Sequence, residues 1–492
     1  MSATVDPKSQ TPNLKLLITN YALWLGLGLA VVAIVIGALL GFAGVILTLA
    51  ALAALAAGLW ALTNIEIGLW GVIAVITLLP FAALPVKIVF KPTFLDLAVA
   101  AVIGVYALQW MTGKRRRLTL TPAHAPIAAF AVLAVFSFMA GRSNGPLTSN
   151  LARHFAEMLL AVGFAFIVVD YLDSRAKLER LTRIILIGGT LAALLGIGLY
   201  VIPDALAERA LSALRVFDYP AGGVLRYIED NPDNAQRAIS TSVDPNVLGG
   251  LLAMIGGLLA PQLLTPQPLF KWRWLTVLMF AVVLACLVLT FSRGAMAALG
   301  IALAGIALAR YRRMLWVMFA VALVIALLPV TQEYVAHFVA GVQGQDLATQ
   351  MRFGEYKDAF ILINRYPFFG VGFAGVPEID IYLGVSSAYF IMAEEMGLVG
   401  LVVFLLSMAV VFGWGFTRRK LVYRDEALAP LWLGAHAGLT AALAVGVVDH
   451  YFFNLDFLPA GTLFWIFGGL ALAATRLAGE ALHQNRADEA VG

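Results

Sequence analysis

Residues 275–309 read LTVLMFAVVLACLVLTFSRGAMAALGIALAGIALA. Two apolar runs, Leu275 to Thr290 and Gly294 to Ala309, meet at Phe291-Ser292-Arg293 with almost no loop between them. An α-helix rises about 1.5 Å per residue, so a run of this order can cross the hydrocarbon of a bilayer. The stretch therefore reads as a tight hairpin of two membrane-spanning helices. Lys271 and Arg273 precede it, and Arg310, Arg312 and Arg313 follow it. Both basic clusters fall at the same end of the hairpin, as the cytoplasmic bias of Lys and Arg in short loops requires.

The pattern extends outward over nearly the whole chain. Of 492 residues 61% are hydrophobic and 13% charged, a balance foreign to water-soluble domains. Further spans are predicted near Tyr21–Leu40, Gly44–Leu62, Ile67–Leu84, Phe94–Trp110, Ala125–Ala140, Phe155–Leu172 and Ile184–Ile202. Beyond these come Val247–Leu264, the hairpin itself, Met314–Pro329, Gly397–Phe416, Pro430–Val448 and Leu458–Ala474. The fold class is thus all-α, a polytopic transmembrane bundle of about 14 helices. Basic clusters at 114–117, 175–183 and 418–420 fall on the same side as those flanking the hairpin, which places both termini in the cytoplasm. The predicted division is a cytoplasmic tail over 1–20, a transmembrane bundle over 21–202, an outer loop over 203–246 and helices over 247–330. A large outer loop over 331–396, the last helices over 397–476 and a cytoplasmic tail over 477–492 complete it.

Several classes of function are excluded. The polar stretch before the first span lacks the architecture of a cleavable leader, so the N-terminus is expected to be retained. One cysteine, Cys286, supports neither a disulfide framework nor a Cys-based metal site. A net charge of +4 is read as cytoplasmic loop bias, with no nucleic-acid partner. There is no phosphate-binding loop, Rossmann fingerprint, His pair at metal spacing or serine elbow, so no cofactor and no metal is expected. An enzyme of this composition needs a substrate that arrives with its leaving group attached.

Four segments carry polar chemistry. Arg237 precedes Asp244-Pro245-Asn246, where Asp or Asn caps the following helix, and a helix N-terminus there offers N–H groups to an anion. Ser292-Arg293-Gly294 places a guanidinium at the outer interface, where a partner anion or headgroup is required. The third segment holds Arg352 and Glu355, in an amphipathic helix that ends at Pro367-x-x-Gly370-x-Gly372. The fourth runs from Ser386-Ser387 through Tyr389 to Glu394-Glu395, Gly397 and Gly400. Its two carboxylates complement a helix N-terminal dipole or activate a hydroxyl.

In this order, on one side of the membrane, the four segments resemble the O-antigen ligase and O-antigen polymerase superfamily over roughly Arg237 to Gly400, and more loosely over Asp449-His450. The resemblance implies a fold similar to membrane-embedded glycosyltransferases, in a bacterial inner membrane, with the active face and both long loops periplasmic. It implies a donor glycan on undecaprenyl diphosphate, an acceptor glycan, and a chain-length regulator as a companion. Arg237, Arg293 and Arg352 would hold the diphosphate, for which bidentate guanidinium suits the phosphate oxygens. Many ligases of the family carry His-Asn where this chain has Ser386-Ser387. Serine cannot act as a base near neutral pH, so Glu394, Glu395, Asp449 or His450 would supply one. The expected function is polymerisation of lipid-linked repeat units of an exopolysaccharide or O-antigen. The alternatives are a ligase that moves finished glycan to lipid A-core or protein, and a lipid-glycan flippase or transporter.

Overall fold

The computed structural model describes residues 64–85, 90–328, 347–376 and 385–491, with 37, 41, 332, 336, 339, 343 and 344; for 481–491 only the backbone is described. Residues Ile65–Gly492 form one compact unit. Among the described residues there are fourteen α-helices and one short antiparallel hairpin. The helices are α1 (Ile65–Leu78), α2 (Phe94–Met111), α3 (His124–Ala140), α4 (Ser149–Tyr171), α5 (Arg175–Val201), α6 (Asp204–Ser212) and α7 (Pro245–Leu264). Next come α8 (Arg273–Leu289), α9 (Arg293–Ala309), α10 (Arg313–Leu327), α11 (Leu347–Arg365), α12 (Ala388–Val422), α13 (Leu428–Val445) and α14 (Leu458–Val491). The hairpin, β1 (Arg226–Tyr227) with β2 (Gln236–Arg237), lies between α6 and α7.

Eight helical segments are long and apolar enough to cross a membrane, and α1, α8, α9 and α10 are shorter apolar helices. Every predicted span on described residues coincides with one of these twelve; those near Tyr21–Leu40 and Gly44–Leu62 lie outside them. Helices dominate because lipid offers no partners to backbone N–H and C=O groups. The centre of the bundle is α13, which packs against α7 and α14, all three more than four-fifths buried. Small residues make this packing possible: a Cβ at Gly434 of α13 would stand 2.8 Å from Leu258 O of α7. At the periphery, α10 buries none of its residues and turns Trp316, Val317 and Phe319 outward, the surface of a lipid-facing helix.

The two ends of the bundle differ in chemistry. At one end the basic clusters are tied into the structure. Arg115 pairs with Asp170 at the close of α4, Arg180 with Glu66 at the start of α1, and Arg476 donates to Leu172 O at 2.7 Å. The opposite end carries the hairpin, α6, α11 and the 446–457 connection.

Two details differ from the sequence reading. The last group of helices does not open at 397: α12 starts at Ala388, inside the stretch expected to be loop, and breaks at Gly397. There φ is 68° and ψ 178°, a region open essentially to glycine alone. The break exists because the turn after α11 packs into it. Leu398 N donates to Pro367 O at 2.8 Å, and Val371 N donates to Glu394 O at 2.7 Å. The outer stretch 203–246 likewise holds α6 and the hairpin. A Cβ at Gly397 would stand 2.2 Å from Phe368 O. Gly397→Ala therefore combines strain with a clash and should cost about 2 kcal/mol or more. Thermal unfolding in detergent would register this as a lowered midpoint, and an unchanged midpoint would refute the account of the break.

Candidate functional site

The tight turn between α8 and α9 organises the site. Thr290 Oγ1 accepts from Ser292 N at 3.2 Å, and Phe291 takes a left-handed conformation, φ 51°, which lets the chain reverse within three residues. Arg293 then opens α9. The strand β2 is strapped across this turn. Ala238 N donates to Leu289 O, and Arg237 Nε to Thr290 O, both at 2.8 Å. Arg237 Nη2 also donates to Asn246 Oδ1 at 2.8 Å. Asn246 lies in the first turn of α7, whose N-cap is Asp244: its Oδ1 accepts from Asn246 N at 2.7 Å and Val247 N at 3.1 Å. The capping role expected of Asp244 is what the structure shows, and Asn246 is a guanidinium holder.

A cavity of about 230 Å³ opens above this turn. Arg237, Arg293 and Arg352 all line it, joined by Asn246, Asp449 and Tyr451. The three arginines come from a strand, a helix start and α11, so chain segments more than a hundred residues apart converge on one space. The N-terminal residues of α9, Ser292 to Ala295, form part of the wall and add the positive end of a helix dipole. Burial pulls the Arg237 guanidinium below its usual range, which Asp244, Asp230 and Asp449 oppose. Glu229 and Asp230, in the hairpin turn, line the same space.

Asp449 is the carboxylate placed opposite these cations by the 446–457 connection. Its Oδ1 accepts from His450 N at 2.9 Å and its carbonyl from Ala388 N at 2.9 Å. Burial, reinforced by Asp244, pushes its carboxyl up to about 7, while Arg352 and Arg237 act against the rise. Tyr451, only 2% exposed, fills a notch over Gly250 of α7, where a Cβ would come within 2.5 Å of its ring. Among the described residues its hydroxyl has no hydrogen-bond partner. Nothing in the local sequence distinguishes Tyr451 from a core aromatic; only the fold brings it to the cavity.

The remaining predicted residues lie elsewhere. Glu394 and Glu395 line a separate cavity with His154 and Asp456. They close the helical stretch 388–396, directly before the break that precedes the apolar stretch from Leu398. His450 lines neither cavity. Its Nδ1 accepts from Asn454 Nδ2 at 3.0 Å, and burial lowers its affinity for protons. Ser386 N donates to Glu355 Oε2 at 2.8 Å, Ser387 Oγ to Gly446 O at 3.3 Å and Tyr389 Oη to Leu443 O at 2.7 Å. These three dock α12 to α11 and α13 and face no cavity arginine. Ser292 is buried under the first turn of α9. Among the described residues no three His, Cys, Asp or Glu side chains gather as a metal site.

Residues 275–405, from α8 into the first half of α12, match the family described as O-Antigen ligase. The matched stretch contains Arg293, Arg352, Glu394 and Glu395; Arg237 and Asp449 stand outside it. No curated protein matches the chain.

The shifted Asp449 carboxyl has a consequence for stability. Ordinary aspartates titrate near 4, so the protonated Asp449 contributes stability that is fully present below about pH 4. That contribution is lost as pH rises towards about 7. Asp449→Asn, which mimics the protonated acid, should flatten the fall in melting temperature across this window. An identical slope in variant and wild type would mean that Asp449 titrates normally.

Proposed function

We propose, on the premise that this membrane protein is a member of the O-antigen ligase and polymerase superfamily, that it polymerises glycan repeat units carried on undecaprenyl diphosphate. The observation that carries the reading is the convergence of Arg237, Arg293 and Arg352 on one cavity at the end of the bundle opposite the basic clusters. By the positive-inside rule that end faces the periplasm of the bacterial inner membrane. An interfacial pocket with three guanidinium groups and a helix N-terminus suits a diphosphate headgroup whose prenyl chain stays in lipid.

In this reading the arginines bind the donor diphosphate, and a hydroxyl of the acceptor glycan attacks the anomeric carbon. The bond from that carbon to the diphosphate oxygen breaks, and the electron pair leaves with the carrier diphosphate. The hydroxyl proton passes to Asp449, the one of the four acid and base candidates named from the sequence that shares the arginine cavity. A carboxylate that titrates near 7 is poised for general-base work at neutral pH. The guanidinium groups then act on charge that grows on the leaving group, so their removal falls mainly on turnover.

Arg293→Ala should lower turnover by about a hundredfold to a thousandfold, the usual effect of removing one donor to a developing charge, while the protein still inserts. In a deletion strain complemented with this variant, single repeat units should accumulate on the carrier. Normal polymer would sink the arginine clamp. Full-length polymer stranded on the carrier would turn the reading to a ligase, and no outer-face accumulation to transport. For the wild type, turnover should rise with pH through about 7 as Asp449 loses its proton, and Asp449→Asn should abolish both the rise and most of the activity.

A further inference from the structure

The second cavity, about 390 Å³, holds carboxyl groups without the arginines of the first. Asn150 and His154 at the start of α4, Glu394 and Glu395 before the break in α12, and Asn454 and Asp456 in the 446–457 connection supply its polar wall. Among the described residues no lysine or arginine lines it. Glu394 is 2% exposed, yet no described group donates a hydrogen bond to either of its carboxylate oxygens; Glu395 Oε2 is in the same state. Buried acceptors of this kind ordinarily find donors, because leaving them unpaired is costly. The backbone gives them no freedom to turn away. The Glu394 and Glu395 carbonyls accept from Val371 N at 2.7 Å and Gly372 N at 2.9 Å, which fixes this stretch against the turn after α11.

The character of the ligand follows from what the wall offers. Arg153 donates to His154 Nε2, which leaves the ring hydrogen on Nδ1, 3.5 Å from Asp456 Oδ1. The cavity presents carboxyl groups and amides, and among the described residues neither lysine nor arginine. A phosphate finds no guanidinium or ammonium partner here, and among the described residues no three potential metal ligands gather. A group rich in hydroxyls supplies the missing donors. Asn454 stands five residues from Asp449, so the two are at most about 18 Å apart even with the chain extended. That is within the reach of a short oligosaccharide.

We infer that this cavity is a saccharide subsite that takes the acceptor glycan, with Glu394 accepting hydrogen bonds from its hydroxyl groups. The inference rests on the reading of the protein as a glycan transferase, and deepens it by assigning donor headgroup and acceptor sugars to separate cavities on either side of the 446–457 connection.

The test uses the purified full-length protein in nanodiscs and two probes: inorganic diphosphate, and the repeat-unit glycan extracted from a deletion strain and freed of carrier and phosphate. Glu394→Leu should weaken binding of the glycan by about tenfold or more, the loss expected when hydrogen bonds to a buried polar group are removed, and leave diphosphate binding unchanged. Arg293→Ala should do the reverse. Asn150→Ala, an exposed rim position, should weaken the glycan too and stands in if Glu394→Leu unfolds. Glycan binding that survives both Glu394→Leu and Asn150→Ala, or that falls equally with Arg293→Ala, would overturn the subsite. So would a wild type that binds diphosphate and no glycan. A wild type that binds neither probe would instead overturn the transferase reading on which the subsite depends.

Discussion

Three guanidinium groups gathered at the end of an apolar bundle set the terms for the rest of this structure. Each is repelled by the other two and loses hydration where the bundle meets lipid, so each must be fixed by partners that the fold delivers. For Arg237 the structure does this with a backbone carbonyl and a side-chain amide. Arg237 is held by Thr290 O and Asn246 Oδ1. Its opposing carboxylates are arranged around it: Asp244 is occupied in capping α7, and Asp449 is pushed towards neutrality. A fully ionised acid bound to Arg237 would cancel part of the field that an anionic ligand needs. Polar neutral holders keep the charge available while defining its position.

The same economy explains the glycine-rich turn after α11. Gly370 and Gly397 lie where two stretches of backbone meet with no space for a side chain: a Cβ at Gly370 would stand 2.3 Å from Glu394 O. The contact does two jobs. It breaks α12, so that Glu394 and Glu395 are carried at the end of a short helical stretch rather than along a continuous span. It also anchors the end of α11, and α11 brings Arg352 to the first cavity. Glycines that look like loop punctuation in the sequence thus tie the positions of the two polar sites to one another.

Much of this was legible in the sequence, and the part that was not has a physical reason. Spans were readable because lipid imposes one length and one composition on them, and the twelve that fall on described residues coincide with helices. Arg293 stood out because guanidinium is expensive near hydrocarbon, and Arg237 and Arg352 stood out through the resemblance. The grouping of the four acid and base candidates was not readable. Glu394, Glu395, Asp449 and His450 look equivalent as sequence, but a hydrogen bond to Asn454 turns His450 inwards and the glycine break sends the two glutamates to another cavity. Tyr451 was invisible for the same reason, since its notch is made by Gly250 on a helix two hundred residues away. Ser386 and Ser387, where many ligases of the family carry His-Asn, are used here to dock helix ends.

The 446–457 connection ties these observations together. It is short, and the adjoining carbonyls of Gly446 and Asp449 both accept from Ala388 N, at 2.9 Å each, which joins it to the start of α12. One of its sides gives Asp449 and Tyr451 to the cationic cavity; the other gives Asn454 and Asp456 to the acidic one. Arginines on one side and carboxyl groups on the other would pair with one another if they could meet, so a rigid segment between them keeps the two sets apart for their ligands. The internal bonds of the connection, Phe453 N to His450 O at 3.1 Å and Asn454 N to His450 O at 3.0 Å, make it such a wall. In the proposed chemistry an electrophile bound through its phosphates and a nucleophile bound through its hydroxyls must meet without exchanging sites. Sorting them by charge across one wall accomplishes this, and it places the base on the wall itself, where the two substrates come together.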